Sequence, residues 1–330
     1  KMRRSITNNF MSRVQTANTP ALFDRCEQKA KNPSWVWETL FRNPKTKMLG
    51  VFKNDVAMAV KYPPPQTVVE GAEGEAQKKP PRAKATGLAA VPIFPRAFLN
   101  NSEENEKRIG TAETAKECQL LQEVFLLGVD TNTDTPYFAR QLLESEVEDA
   151  KIQLGETTKM INLRNIVASL SNDEASLIAQ AKSLVEWHDS AKFCGFCGTL
   201  TKSMDGGRSR NCEKCEKPNY PRTNPVAIMC VLSPDGTKCL LGQTKERHIG
   251  NMFSCLAGFI DQGEALENAV CRETFEEAGV LLEPRSLRYH SSQPWPYPSQ
   301  LMLGMIGVAT SDEINFDPEE MHDVQWFSRE

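Results

Sequence analysis

Apolar and polar positions along the chain predict several short strands and one long helix in its first half. EVFLLGVD (123–130) and PYFARQLL (136–143) are apolar runs separated by the polar stretch TNTDT, which predicts two strands joined by a turn. KMLGVF (47–52) and DVAMAVKY (55–62) predict a second pair of strands. Residues 171–190 instead repeat apolar side chains at helical spacing. Together these patterns predict an N-terminal α+β domain over residues 36–190.

The predicted helix carries its own start signal. Ser171 and Glu174 are three residues apart, which is the spacing of a capping box. Its apolar stripe consists of Leu177, Ile178, Ala181, Leu184, Val185 and His188. Trp187 and His188 are chemically attractive as site residues, but their place beside this stripe favours a core-facing pair.

Two stretches break the pattern of regular elements. Residues 63–90 contain three consecutive prolines and then polar residues without periodicity, which predicts a disordered insertion over 63–117. Residues 1–35 form a predicted flexible N-terminus, and no acid precedes Asp24. A mitochondrial transit peptide has this basic, Ser/Thr-containing composition, although a plain basic tail does too.

Composition narrows the function class only slightly. The 330 residues carry a net charge of −4, so no basic excess indicates nucleic acid as a bulk partner. The chain contains no run of about 18 apolar residues, so we expect no transmembrane helix. The first residue is Lys1 rather than Met, so we expect a fragment of a longer chain.

Four of the ten cysteines form two CxxC pairs. The pairs are separated by 14 residues, and each pair can supply two ligands to the same metal ion from a tight turn. Four thiolates at this spacing select Zn²⁺ and leave no open coordination position, which predicts a structural zinc ribbon over residues 191–219. Redox dithiols are the weaker alternative, and Lys202, Arg208 and Arg210 in the intervening loop are compatible with nucleic-acid contact. The predicted ligands are Cys194, Cys197, Cys212 and Cys215.

The next segment predicts the start of another domain. Val226–Leu232 and Thr237–Gly242 are apolar runs, and Ser233–Gly236 reads as the hairpin turn between them. We therefore expect a second sheet to begin after residue 220.

Residues 258–280 organise the second half of the chain. Gly258 and Gly263 belong to a predicted loop, and a helix is expected to begin at Glu264 and to end at Gly279. The predicted core-facing positions of this helix are Ala265, Leu266, Ala269 and Val270.

Glu273, Glu276 and Glu277 are spaced i, i+3 and i+4, so the prediction places three carboxylates on one helical face. The carboxylates of such a cluster repel one another. The cluster is either a solvated acidic face or a site that binds a hard cation. The fixed spacing of glycines, glutamates and Arg272 favours Mg²⁺ or Mn²⁺.

This spacing resembles the Nudix hydrolase signature, G-x5-E-x7-R-E-U-x-E-E-x-G-U, in which U is a bulky aliphatic residue. Thr274 departs from it at a U position. The resemblance implies hydrolysis of a nucleoside diphosphate linked to another group. It further implies that Glu273 and Glu277 bind the metal, that the carbonyl of Ala257 adds a ligand, that Glu276 is a ligand or helps to deprotonate water, and that Arg272 orients the carboxylates.

A proline–aromatic segment, SQPWPYPSQ, occupies residues 292–300. Its three alternating prolines predict a stiff, extended backbone that presents Trp295 and Tyr297 for stacking on a ring. A rigid edge loop without ligand contact is the alternative.

The zinc ribbon, the Nudix signature and this segment together resemble the NADH pyrophosphatase family, whose motif is SQPWPFPxS. Tyr297 replaces Phe, and Gln300 stands at the last motif position after Ser299. The resemblance covers residues 36–330 except the insertion, and implies a Nudix α/β/α sandwich with a mixed sheet over residues 220–330. It assigns Glu320 to the metal, and the implied substrate contacts are Tyr220, Gln293, Pro294, Trp295, Pro296, Tyr297, Pro298, Ser299 and Gln300.

The resemblance implies hydrolysis of NADH or NAD⁺ to NMNH or NMN and AMP, a homodimer, and no membrane association. An NAD cap on an RNA 5′ end contains the same linkage, so such RNA is a second expected substrate. Two alternatives stay open: a Nudix hydrolase for ADP-ribose or a diadenosine polyphosphate, and a nucleic-acid or partner-binding module with an inactive Nudix fold. The family pattern continues past Glu330, so we expect a truncated C-terminal end. Cytoplasmic, peroxisomal and mitochondrial locations all remain open.

Overall fold

The computed structural model describes residues 23–24, 31, 47–52, 55–61, 84–88, 123–142, 158–245 and 252–328. The chain divides into two compact units, Lys1–Pro221 and Arg222–Glu330. Within the described residues, no helix is both long enough and apolar enough to cross a membrane.

The first unit contains a sheet of seven strands. Their bounds are β1 (Phe23–Asp24), β2 (Lys47–Phe52), β3 (Asp55–Lys61), β4 (Lys84–Leu88), β5 (Val124–Asp130), β6 (Thr135–Gln141) and β7 (Thr158–Asn162). The order is β1-β5-β6-β2-β3-β4, with β7 also paired to β3, and β2 runs parallel to β6. The strands predicted from the apolar runs are confirmed.

Strand β4 corrects the prediction of disorder for 63–117. Its five residues pair antiparallel with β3, because Val60 lies opposite Ala85 and Met58 opposite Leu88. The prediction is therefore wrong for these residues, and the remainder of the segment lies outside the described residues, as does most of 1–35.

Helices α1 (Leu163–Ile166) and α2 (Asn172–Ser190) follow the sheet. The capping box of α2 is confirmed, since the Glu174 N–H donates to Ser171 Oγ and the Ser171 N–H donates to Glu174 Oε2. Helix α2 packs against β2, β5 and β6. Trp187 and His188 are buried, which confirms that they face the core.

The cysteine-containing segment also belongs to the first unit. It forms an antiparallel sheet of β8 (Thr201–Met204), β9 (Ser209–Cys212) and β10 (Pro218–Asn219), in the order β10-β9-β8. Short 3-10 turns occur at Val167–Ser169 and Asp205–Gly207 in this unit and at Pro284–Ser286 in the second.

The second unit is a mixed sheet with one α-helix in its described part. The strands are β11 (Asn224–Leu232), β12 (Lys238–Thr244), β13 (Leu256–Phe259), β14 (Arg288–Trp295), β15 (Gln300–Val308) and β16 (Met321–Ser328). Their order is β14-β15-β11-β12-β16, with β13 paired to β11. The predicted strands and the turn at 233–236 are confirmed, and the fold class is α+β with a Nudix sheet.

Helix α3 (Leu266–Ala278) covers one face of this sheet. Ala269 and Val270 are fully buried and belong to one core with Met229 and Val231 of β11. Burial of Val270, Met229 and Val231 contributes about 1.5–3 kcal/mol to folding for each side chain. This packing fixes α3, and with it the carboxylates on the helix.

Candidate active site

The strand before α3, rather than the loop predicted for Gly258, brings the backbone into contact with a carboxylate. Gly258 lies on β13, and a Cβ atom at this position would overlap the carboxyl group of Glu273. Gly279 ends the helix in a left-handed conformation, with φ of 68°, as predicted for the C-cap. The two glycines are therefore required by close approach and by backbone conformation, respectively.

The start of α3 differs from the prediction. Ala265 is the N-cap and Leu266 the first helical residue, so Glu264 precedes the helix. Ala265 is exposed rather than core-facing. Glu264 instead accepts hydrogen bonds from Arg272 Nε at 2.8 Å and from the backbone N–H of Asp261 at 3.0 Å. These hydrogen bonds, chiefly those from Arg272, lower the pKa of Glu264 to about 2.

Arg272 contacts three carboxylates and one carbonyl. Its Nη1 atom donates to Glu273 Oε1 and to Glu276 Oε2, both at 2.9 Å. Its Nη2 atom donates to Glu264 Oε2 at 2.8 Å and to the carbonyl oxygen of Phe259 at 2.9 Å. A planar guanidinium makes these contacts in fixed directions, so Arg272 ties the loop to the helix.

Glu273 and Glu277 form a buried pair of acids, since only 9% and 5% of their surfaces are exposed. Burial raises the pKa of both, and that of Glu277 reaches about 8, with further contributions from Glu273 and Glu320. Glu277 contacts the backbone N–H of Ala257, but its Oε2 atom is buried and has no hydrogen-bond partner in the described part of the chain.

Buried acids of this kind need a compensating charge. The oxygen atoms of Glu273 and Glu277, with Glu320 close enough to raise both pKa values, are ligands that a divalent cation prefers. The arrangement therefore fits a divalent cation.

Glu276 has a different environment although it is the neighbour of Glu277. Its side chain is 49% exposed and forms an ion pair with Arg272. The predicted three-carboxylate face is thus divided into two buried acids and one that faces solvent. Sequence spacing could not reveal this division, because it depends on which strand covers the helix.

Thr274, the departure from the Nudix signature, is fully buried. Its hydroxyl donates to the carbonyl oxygen of Val270 at 2.6 Å, so the polar atom is satisfied within the helix. This position packs into the core like the aliphatic residue it replaces.

Residues 292–300 form a hairpin rather than one extended segment. Trp295 ends β14 and lies opposite Gln300, which begins β15, and residues 296–299 turn between them. The extended prediction is therefore correct up to Trp295 and wrong beyond it. The Tyr297–Pro298 peptide bond is cis. The rings of Trp295 and Tyr297 meet edge to face, with centroids 5.3 Å apart.

The sides of this hairpin are unequally exposed. Gln293 and Pro296 are buried, whereas Pro294 and Pro298 are exposed, and the other motif residues are half-buried. The Nε2 atom of Gln293 has no hydrogen-bond partner among the described residues. A buried amide donor of this kind is expected to have a partner, which an oxygen-rich ligand would provide. Tyr220 lies in the first unit and is exposed.

The four ribbon cysteines meet at one point. Their Sγ atoms all lie within 4.8 Å of one another, and three of the separations are 3.5, 3.6 and 3.8 Å. A tetrahedral ion with metal–sulfur bonds of about 2.3 Å requires sulfur atoms about 3.8 Å apart. The cluster therefore fits one metal ion, as predicted.

A buried polar network behind this cluster was missed by the sequence analysis. The His188 Nε2–H donates to the carbonyl of Gly207 at 2.7 Å, and Arg210 Nη1 donates to His188 Nδ1 at 2.9 Å. Burial lowers the pKa of His188 to about 3, so the ring is neutral. Arg210, suggested as a nucleic-acid contact, is instead buried in this network.

Comparison with known proteins agrees with both units. A sequence model of the NUDIX domain matches residues 223–330, and one described as an NADH pyrophosphatase-like rudimentary NUDIX domain matches residues 95–187. The human protein named NAD-capped RNA hydrolase NUDT12 is 48% identical over 169 residues, which cover 49% of this chain and 36% of that protein.

Two further relatives extend the match. Nudix hydrolase 19, chloroplastic, from Arabidopsis thaliana is 41% identical over 62% of this chain and 48% of its own length. The chain thus spans about a third to a half of these first relatives. NAD-capped RNA hydrolase NudC from Pectobacterium atrosepticum is 35% identical over 57% of this chain, and the match covers 71% of that protein. With the signature, the ribbon and the hairpin motif in place, the chain belongs to the NADH pyrophosphatase family of Nudix hydrolases.

Proposed function

We propose that this protein hydrolyses the diphosphate of NADH and NAD⁺, both as free dinucleotides and as the 5′ cap of RNA. The products are NMNH or NMN and AMP, or an RNA with a 5′ monophosphate. The buried Glu273–Glu277 pair is the observation that carries this proposal, because it places two buried carboxyl groups beside a glycine, and one oxygen of Glu277 lacks a hydrogen-bond partner among the described residues. The names of the relatives support the choice of NAD and capped RNA.

Mg²⁺ or Mn²⁺ is the proposed ion of this site, held by Glu273, Glu276, Glu277, Glu320 and the Ala257 carbonyl. When bound, such an ion neutralises developing charge on the diphosphate oxygens and favours ionisation of water. Zn²⁺ is the proposed ion of the four ribbon cysteines, where it has a structural role.

The side chains around the acids have distinct tasks. Arg272 holds Glu264, Glu273 and Glu276 in fixed positions through its hydrogen bonds. Oε2 of Glu276 is engaged by Arg272, which leaves Oε1 either to bind the ion or to accept a proton from the attacking water. Water then attacks one phosphorus in line, and the mononucleotide on the far side departs.

Substrate recognition is assigned to Tyr220 and to the hairpin residues 293–300. The unpartnered Nε2 atom of Gln293 is available to an acceptor on the dinucleotide. Trp295 and Tyr297 supply aromatic surface for a base or a nicotinamide ring.

Product analysis tests the proposal. Protein is incubated with NADH and Mg²⁺ or Mn²⁺ in H₂¹⁸O, beside Glu277→Gln, and the mononucleotides are separated by mass. We expect AMP and NMNH from the wild type only, with ¹⁸O in one of them. Cleavage of ADP-ribose or diadenosine polyphosphates with a higher kcat/KM than NADH would reassign the substrate. RNA binding that survives Glu277→Gln, with no hydrolysis by the wild type, would indicate a binding module.

A homodimer is proposed from the family resemblance, and light scattering of the purified protein would test it. We also propose a reducing intracellular compartment, and imaging of a tagged protein would test it. The four ribbon cysteines lie together as ligands of one metal ion would, rather than as disulfide partners, which supports this.

A further inference from the structure

The ribbon segment exposes an unusual share of apolar surface. Among the described residues, five of the ten exposed large apolar side chains lie within residues 193–220. Phe196 is 73% exposed, Phe193 64% and Leu200 60%. Exposed apolar groups concentrated in one small module mark a surface that contacts something else.

Two of these side chains, Phe193 and Leu200, share a face with a basic group. Phe193 and Leu200 lie opposite each other in an isolated antiparallel bridge, so their side chains are neighbours. Leu200, Lys202 and Met204 alternate with the buried Thr201 and Ser203 along β8, and therefore point outward together.

Phe196 sits in the first CxxC turn, and a lysine from just after the second CxxC turn covers it. Lys217 Nζ lies 3.4 Å from the centroid of the Phe196 ring, which is cation–π geometry. Because the ring is still 73% exposed, it can receive a second flat group.

The charge of the module is opposite in sign to that of the whole chain. Residues 192–217 contain six Lys or Arg and three Asp or Glu, whereas the chain carries −4. Even with the charge of −2 that one divalent ion and four thiolates carry together, the module stays net positive. Four lysines of the module are exposed, against two glutamates.

We propose that Phe193, Phe196, Leu200, Lys202 and Lys217, the ribbon patch, bind single-stranded RNA. This rests on the proposed function, in which capped RNA is a substrate, and adds a binding surface for the RNA part of that substrate. The rings stack on successive bases and the lysines contact phosphates. A protein partner would favour a continuous apolar surface, whereas here rings and lysines alternate.

Binding of uncapped RNA tests the patch independently of hydrolysis. A labelled single-stranded RNA of 12 nucleotides with a 5′ hydroxyl is titrated against the full chain, and Kd is read from fluorescence anisotropy. We expect Phe196→Ala to raise Kd roughly tenfold, because one stacked base is lost, and Phe196→Trp to restore binding. Tyr289→Ala is the matched control, since Tyr289 is an aromatic residue that is 58% exposed but lies in the second unit.

The lysines are tested by salt dependence. Lys202→Gln and Lys217→Gln should each reduce the slope of log K against log salt by about 0.7, the value for one phosphate contact on a single strand. Glu213→Gln should strengthen binding, because Glu213 forms an ion pair with Lys202 at 2.5 Å.

Zinc content and melting temperature show whether each variant folds. An unchanged Kd in the folded double variant Phe193→Ala/Phe196→Ala overturns the proposal. A change in oligomeric mass with unchanged RNA affinity overturns it too, in favour of a second copy of the chain. With capped RNA, kcat/KM should fall in the double variant while kcat/KM for NADH stays constant. If the wild type cleaves neither substrate, the proposed function is wrong. The anisotropy measurement still shows whether the ribbon patch binds RNA.

Discussion

Replacement of Glu277 by Gln should make the metal-free second unit more stable while it abolishes hydrolysis. Glu277 is 5% exposed, and one of its oxygens lacks a hydrogen-bond partner in the described part of the chain. A buried carboxylate without compensation opposes folding, whereas a neutral amide of the same shape does not. The acid is therefore expected to be retained for function at the expense of stability.

The pKa of Glu277 gives the magnitude. Its pKa of about 8 in the folded chain lies above the ordinary value of 4.5. The free energy of unfolding that this carboxyl group costs the protein is therefore absent below pH 4.5 and grows as the pH rises towards 8. The slope is about 1.4 kcal/mol per pH unit, because one proton is held in the folded state only. At pH 7 the free energy of unfolding of the wild type is thus lowered by up to about 3 kcal/mol, and Glu277→Gln should recover part of this.

Calorimetry in divalent-free buffer without chelator measures this effect and leaves the ribbon metal in place. The melting temperature of the second unit should rise in the variant by about 4–8 °C for each kcal/mol of stability that is recovered. Added Mg²⁺ should stabilise only the wild type. Glu276→Gln is the control, since its carboxylate is 49% exposed and should change little. A metal-free Glu277→Gln that melts below the wild type would refute the reasoning.

Four other changes test separate parts of the structure. Gly258→Ala should lower kcat/KM for NADH by at least about 100-fold, because the added methyl overlaps the Glu273 carboxyl and displaces it; wild-type kinetics would contradict this. Thr274→Val should change the free energy of unfolding by less than about 1.5 kcal/mol and leave kcat unchanged, since it removes one internal hydrogen bond. Cys197→Ser should lower the bound zinc measured by atomic absorption, and full retention would argue against the four-thiolate site. The pKa of His188 is lowered to about 3 in the folded chain, so between pH 6.5 and pH 3 only the unfolded chain carries a proton on this ring. The free energy of unfolding should therefore decrease as the pH is lowered from 6.5 to 3. His188→Gln should flatten this fall in urea titrations, and an identical slope would show that another group titrates.

Much of the candidate site is visible in the sequence because the chemistry is local. The spacing of Arg272, Glu273, Glu276 and Glu277 fixes their arrangement on any helix. The two CxxC pairs likewise predict the cluster that the structure shows. The capping box of α2 and the turn at 233–236 are also local signals, and both are confirmed.

The errors occur where local signals compete with contacts from elsewhere. Apolar spacing placed Ala265 in the core, yet it caps the helix, and Glu264 is drawn out of the helix by Arg272. The polar composition of 63–117 predicted disorder, but β4 is held by its pairing with β3, which composition does not contain. Alternating prolines predicted an extended backbone, but hairpin pairing of Trp295 with Gln300 requires a turn.

The sequence alone determined the family, the residues of the signature and the cysteines of the four-thiol cluster, because these depend on spacing along the chain. The tertiary structure decided which of the acids are buried. Strand β13 packs over α3 at Gly258, covers Glu273 and Glu277, and leaves Glu276 in solvent. The tertiary structure also buries Arg210 and exposes the apolar side chains of the ribbon patch. Burial depends on which distant segments cover a side chain, and this physical fact is absent from the spacing of residues along the chain.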